Sequence, residues 1–140
     1  MGDFFTLEEL LTSSIARKYS IENLPSFEIV DNLRHLKDTL LNPLREAWGS
    51  GIVITSGFRN DKLNKKVGGV FNSCHRLGFA VDMQPANGKM KEFKAFVIEF
   101  LKDKMFDECI IEKNGKTEWI HLQEFSPNGF QRKKVFNLNV

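Results

Sequence analysis

His75 and Asp82 lie seven positions apart in Ser73-Cys74-His75-Arg76-Leu77-Gly78-Phe79-Ala80-Val81-Asp82, and His121 follows nearer the C-terminus in Glu118-Trp119-Ile120-His121. Two imidazoles and one carboxylate can hold a single divalent ion and leave a fourth tetrahedral position for water, the mark of catalytic zinc sites. Gly78 lets the chain turn between the first two groups, and Ala80 leaves room on the face of Asp82. Ser73, two before His75, is a candidate hydrogen-bond partner that would orient a ligand. By spacing alone, a His and an Asp near one another in a strand region more often share a surface hydrogen bond than a metal. The same donor set also makes the facial triad of non-haem iron oxygenases. Those sites usually place His and carboxylate one residue apart, whereas six residues intervene here, which disfavours the iron reading.

Bringing such distant groups together requires a sheet. Phe79 to Gln84 alternates, so Ala80 and Asp82 share one face while Phe79, Val81 and Met83 point to the core. A hairpin is predicted from Asp107–Glu112 and Thr117–Gln123 around Asn114-Gly115, the favoured pair for a two-residue turn. That turn pairs Glu112 with Thr117, Ile110 with Trp119 and Glu108 with His121, placing Glu108, Ile110 and Glu112 on the face of His121. Gly51 to Ser56 is short, β-branched and glycine-bounded, and reads as a buried strand leading into Gly57-Phe58-Arg59. Asn60 can cap a short helix that Gly68-Gly69 ends. Residues 71–75 are expected to be loop.

The remaining elements are scaffolding. Thr6-Leu7-Glu8-Glu9 is a capping box, with Leu7, Leu10, Leu11 and Ile15 at helical spacing behind it. Pro25-Ser26 ends that helix and caps the next, whose stripe is Ile29, Leu33, Leu36, Leu40 and Leu44, with a kink expected at Pro43 and a stop at Gly49. His35 lies off the stripe and is expected to be solvated. Phe93, Phe96, Val97, Phe100 and Leu101 recur at the spacing of an amphipathic helix. Together these elements predict an α+β fold: N-terminal helices packed against a small antiparallel sheet, with the metal site on its open face.

Composition bounds the function. The chain has 140 residues, is 41% hydrophobic and contains 13 Phe, which suits one domain over residues 1–140 with one core. Net charge is +2, with the 20 basic residues spread among 18 acids, so no nucleic-acid partner is expected. The two cysteines, Cys74 and Cys109, lack partners at metal-ligand spacing and read as buried thiols. The acidic start Met1-Gly2-Asp3-Phe4-Phe5-Thr6-Leu7-Glu8-Glu9 is unlike a secretory signal, and no run approaches the roughly 20 apolar residues of a membrane span. The expectation is a soluble monomer without membrane insertion, made in the cytoplasm.

Ser73-x-His75-x-x-Gly78-x-Ala80-x-Asp82 and Glu118-Trp119-Ile120-His121 resemble the two signature motifs of the zinc D-Ala-D-Ala metallopeptidase family. Thr55-Ser56-Gly57-Phe58-Arg59 resembles the element that precedes the first ligand in that family. Phe5-Thr6-Leu7-Glu8-Glu9-Leu10 and Leu41-Asn42-Pro43-Leu44-Arg45-Glu46 are similar to its compact branch, common in bacteriophages and their hosts, so the resemblance spans nearly the whole chain. It implies a fold shared with D-Ala-D-Ala peptidases and hedgehog domains, zinc on His75, Asp82 and His121, and Arg59 near the substrate carbonyl.

The implied activity is hydrolysis of peptidoglycan stem-peptide or cross-link bonds, in carboxypeptidase or endopeptidase fashion, by a phage-type lysin acting at the cell wall. Zinc would bring water to a pKa of about 7, and an arginine at the oxyanion would add stabilisation. For the general base, Glu118 is the expected residue, because it matches the family position three before the last histidine, with a bulge at Thr117-Glu118 needed to bring it to the face of His121; Glu112 is the alternative. A regular strand, however, puts Glu118 opposite His121, whereas Glu112 shares the face of His121. Trp119 shares the face of His121 and is read equally as a wall of the cleft or as a core side chain. The hedgehog domain keeps the zinc site while serving as a ligand, so a zinc-bearing binding module is the alternative; Arg59, Glu118 and Glu112 favour an enzyme.

Overall fold

A computed structural model describes residues 2–140. The chain begins with two short helices, α1 (Leu7–Leu10) and α2 (Ser14–Lys18), where one longer helix was expected. The capping box forms: Thr6 Oγ1 accepts from the Glu9 amide at 3.1 Å and the Glu9 carboxylate accepts from the Thr6 amide at 3.2 Å. The helix nevertheless ends within a turn, because the Ser13 hydroxyl accepts from the Ala16 amide and starts a new one.

Helix α3 (Phe27–Leu36) is capped by Ser26 and runs through a π-helical turn (Lys37–Leu41) into α4 (Asn42–Trp48). The wide turn sits where Pro43, lacking an N–H, cannot continue the regular ladder. Leu33, Leu36, Leu40 and Leu44 are buried along this unit, and Gly49 ends it in the left-handed conformation at φ 77°.

Strand β1 (Ile52–Ser56), α5 (Asp61–Lys66), a 3₁₀ turn (Cys74–Leu77), β2 (Ala80–Pro85), α6 (Met90–Phe100), β3 (Glu108–Asn114), β4 (Thr117–Gln123) and β5 (Lys134–Asn139) follow. The sheet order is β1-β2-β4-β3-β5. Its first four strands are antiparallel, as expected, but β5 adds to β3 in parallel. This last strand was not foreseen, although Phe136, Leu138 and Val140 alternating with Asn137 and Asn139 carry a period of two.

Val81, Met83, Cys109, Ile111, Ile120 and Leu122 cover one face of the sheet and join Leu33, Leu36, Leu44, Phe93 and Val97 in the core. Phe79 stands outside that core, half-buried, with its ring edge-on to Phe125 at 5.5 Å. The other face carries Asp82 opposite His121, with Ile110 opposite His121 on the far side.

The hairpin differs from expectation in register. Asn114 pairs with Thr117, so the two loop residues are Gly115 and Lys116, and only Gly115 has positive φ, at 62°. That is the type II′ pattern, with glycine at the first central position. The slip is two residues, so every side chain keeps its predicted face while Glu112 moves opposite Trp119.

Both cysteines are free and buried, as expected. No helix among the described residues is long and apolar enough to cross a membrane.

Candidate metal centre

The 3₁₀ turn places His75. Ser73 Oγ accepts from the His75 amide at 3.3 Å, and Gly78, at φ 74°, reverses the chain into β2 so that Asp82 comes back beneath the imidazole. His121 arrives from β4, directly opposite Asp82. One ligand atom from each of the three residues lies within 4.8 Å of the others, a cluster that could hold a metal ion. Asp82 Oδ1 is 3.2 Å from His75 Nε2 and 3.1 Å from His121 Nδ1.

The far nitrogen of each ring is engaged. His75 Nδ1 donates to the Gly57 carbonyl at 2.8 Å, leaving the Nε2 lone pair facing Asp82. His121 Nε2 meets Gln123 Oε1 at 2.9 Å, leaving Nδ1 for the cluster. Two buried imidazoles with inward lone pairs and an ionised carboxylate make a donor set suited to zinc.

The electrostatics follow from this packing. Burial lowers the His75 pKa, with Asp82 opposing. Burial also disfavours charge on His121, but the hydrogen bond and negative charge of Asp82 outweigh it and raise the pKa. Burial works against ionised Asp82, yet the two imidazoles hold its carboxyl well below the usual carboxylate range.

Arg59 follows β1 on a loop fixed by backbone. The Phe58 amide donates to the Leu10 carbonyl at 2.8 Å, and the Arg59 amide donates to the His75 carbonyl at 3.0 Å. Asn23 Nδ2 donates to the Phe58 carbonyl at 2.7 Å. Gly57 is required here, because a Cβ would lie 2.0 Å from the Leu10 carbonyl oxygen. The Arg59 guanidinium donates to Ser73 Oγ at 3.2 Å, and its buried Nε has no hydrogen-bond partner. Asp61, in reach by sequence, pairs with Arg76 instead.

The two glutamates separate. Glu112 lines the same cleft as Arg59, His75, Asp82, His121 and Trp119, a space of about 890 Å³. Trp119 Nε1 donates to Glu112 Oε2 at 2.5 Å. Burial, then the charge of Asp82, raises the Glu112 pKa. Glu118 is not brought to the cluster: β4 has no bulge there, Glu118 pairs with Lys113, and its carboxylate binds Lys94 of α6 at 2.8 Å behind the sheet.

Other expectations resolve simply. Ser73 is buried and bonds both the His75 amide and Arg59. Ala80 is buried opposite Gln123. His35 is 56% exposed, as expected of a solvated histidine, but its Nδ1 also lies 2.7 Å from buried Glu124. Burial raises both Cys74 and Cys109 to about 12, so they are inert thiols.

Gln123 was missed from sequence, although its position two after His121 on a strand puts it on the same face. Asp107 and Arg132 were missed with it, their carboxylate–guanidinium pair closing at 2.7 and 2.8 Å. No curated protein matches the sequence. A family model described as Peptidase M15 matches residues 3–123, ending just past the last histidine of the cluster, and the chain therefore belongs to the Peptidase M15 family.

Proposed function

We propose that this protein is a zinc metallopeptidase of the cell wall, hydrolysing peptidoglycan stem-peptide or cross-link bonds that involve D-amino acids. It works as one domain and as a monomer, in the manner of the compact phage-type lysins. The observation that carries the reading is the convergence of His75, Asp82 and His121 with Glu112 and Arg59 on one cleft.

His75, Asp82 and His121 would hold a zinc ion, which would supply the Lewis acidity that makes water a nucleophile at neutral pH. The chain's own residues do the rest. Glu112, anchored through Oε2 by the Trp119 indole, uses its carboxylate to take a proton from the attacking water. As the carbon–oxygen bond forms and the carbon–nitrogen bond breaks, Glu112 delivers that proton to the leaving amine. Arg59, held by Ser73, offers its guanidinium to the carbonyl oxygen as negative charge develops there. Val70, Phe130, Leu138 and Val140 line the same cleft and provide apolar contacts for a peptide.

Glu112 is the base in this reading in place of Glu118, because Glu118 is committed to Lys94 on the opposite face. The test is digestion of purified peptidoglycan by zinc-loaded protein, followed by mass spectrometry of the released fragments. His121→Ala is expected to lose both zinc and wall cleavage; cleavage by metal-free protein contradicts the reading. A zinc-loaded Glu112→Gln variant with undiminished wall activity, or a zinc-loaded wild type that binds wall peptides without cleaving them, favours the binding-module alternative.

A further inference from the structure

Behind His121 runs a chain of buried polar groups that ends outside the family match. Gln123 Oε1 meets His121 Nε2 at 2.9 Å, and Gln123 Nε2 donates to Asp107 Oδ2 at 2.7 Å. Arg132 donates to the same carboxylate through Nε at 2.7 Å, through its second guanidinium nitrogen at 2.8 Å and through its backbone amide at 3.1 Å. His121, Gln123 and Asp107 are 8%, 4% and 0% exposed, so water does not compete for these bonds.

The chemistry of the chain runs in only one direction. A guanidinium only donates, and a carboxylate paired with it only accepts. Gln123 must therefore present its NH₂ to Asp107 and its oxygen to His121. That oxygen accepts, so His121 carries its proton on Nε2 and its lone pair on Nδ1, the nitrogen 3.1 Å from Asp82. Burial opposes the charge of Asp107, but the Arg132 hydrogen bonds hold its carboxyl below the usual range, keeping it an acceptor.

Arg132 is itself tethered. The Lys133 amide donates to the Phe106 carbonyl at 3.0 Å and the Lys134 amide to the Asp107 carbonyl at 2.8 Å, where β5 begins beside β3.

We infer that Arg132, Asp107 and Gln123 are positioning residues that set the tautomer and orientation of His121, so that the segment after residue 123 completes the metal centre. The inference rests on the metal centre proposed above, but it is tested separately from peptidase activity. Nitrogen-15 NMR of metal-free wild type, at a pH where His121 is neutral, is expected to show the Nε2–H tautomer; the Nδ1–H tautomer overturns the inference, whether or not zinc binds.

Zinc affinity is then measured by chelator competition. Gln123→Met is expected to bind zinc about 10- to 100-fold more weakly and to mix the His121 tautomers. Arg132→Gln, at a more exposed position, is expected to weaken zinc by a smaller factor, with Arg132→Lys restoring part of it. A folded Gln123→Met variant with wild-type zinc affinity and an unshifted His121 resonance contradicts the inference. Wild type that shows the Nε2–H tautomer yet binds no zinc sinks the metal proposal and leaves the positioning chain standing.

Discussion

Glu112 and Trp119 stand directly opposite one another across the β3–β4 hairpin, and the indole Nε1 donates to the Glu112 carboxylate at 2.5 Å. The pairing fixes a carboxylate on the cleft face shared with His75, Asp82 and His121, with one oxygen committed to the indole. Glu118, one residue earlier on β4, faces the opposite way.

This separation gives the first prediction. Glu112→Gln should keep zinc and lower kcat by about 10²- to 10⁴-fold, the usual contribution of a positioned general base. Glu118→Gln should leave kcat near wild type and cost no more than about 1 kcal/mol of stability through the lost Lys94 pair. Steady-state kinetics on a D-amino-acid peptide, with metal content measured in parallel, checks both. A large loss confined to Glu118→Gln contradicts the assignment.

Much of this arrangement was legible in the chain because strand periodicity is simple. Asp82, His121 and Glu112 share a face by period-two reasoning, and the hairpin slip of two residues preserved it. The turn itself was misplaced because Asn-Gly favours one two-residue loop while a glycine at the first loop position favours another, and the local sequence serves both. The first helix was over-extended for a similar reason. Leu7, Leu10, Leu11 and Ile15 keep helical spacing, but the Ser13 hydroxyl competes for the backbone and restarts the helix. The support behind His121 was hidden because Asp107, Gln123 and Arg132 meet only through tertiary pairing.

A second prediction concerns Gly57. Its Cβ position lies 2.0 Å from the Leu10 carbonyl oxygen, and backbone on both sides prevents a flexible response. Gly57→Ala should destabilise the protein by roughly 3 kcal/mol, at the upper end for overpacking, and displace the loop carrying Arg59. Thermal melts of the metal-free protein measure this; an unchanged melting temperature would show that α1 and the loop can part.

A third follows from Asp107. Its folded pKa lies below the ordinary value, chiefly because the Arg132 hydrogen bonds outweigh burial. A depressed carboxylate contributes stability that is full above the unfolded pKa of about 3.9 and is lost as pH falls through the folded pKa. Asp107→Asn should therefore be less stable than wild type at about pH 6, with the gap narrowing as pH drops below about 4. Urea titrations across that range check the sign, and a gap that widens in acid would refute it.

The catalytic assignment of Arg59 gives a fourth. Its guanidinium reaches the cleft from a loop pinned by backbone, with Ser73 holding one end. Arg59→Lys keeps the charge but loses the planar donors, and should lower kcat by about 10²-fold or more with KM little changed, as expected for a donor used at the oxyanion. An effect on KM alone would recast Arg59 as a ground-state substrate anchor.

The most direct test of the whole account is fragment analysis of purified peptidoglycan incubated with the protein before chelation, after chelation and after zinc is restored. The account predicts new peptide termini that appear with the native protein, vanish when metal is stripped and return with zinc, and that never appear with Asp82→Ala. New termini that persist in metal-free protein, or a zinc-loaded wild type that produces none, would contradict it.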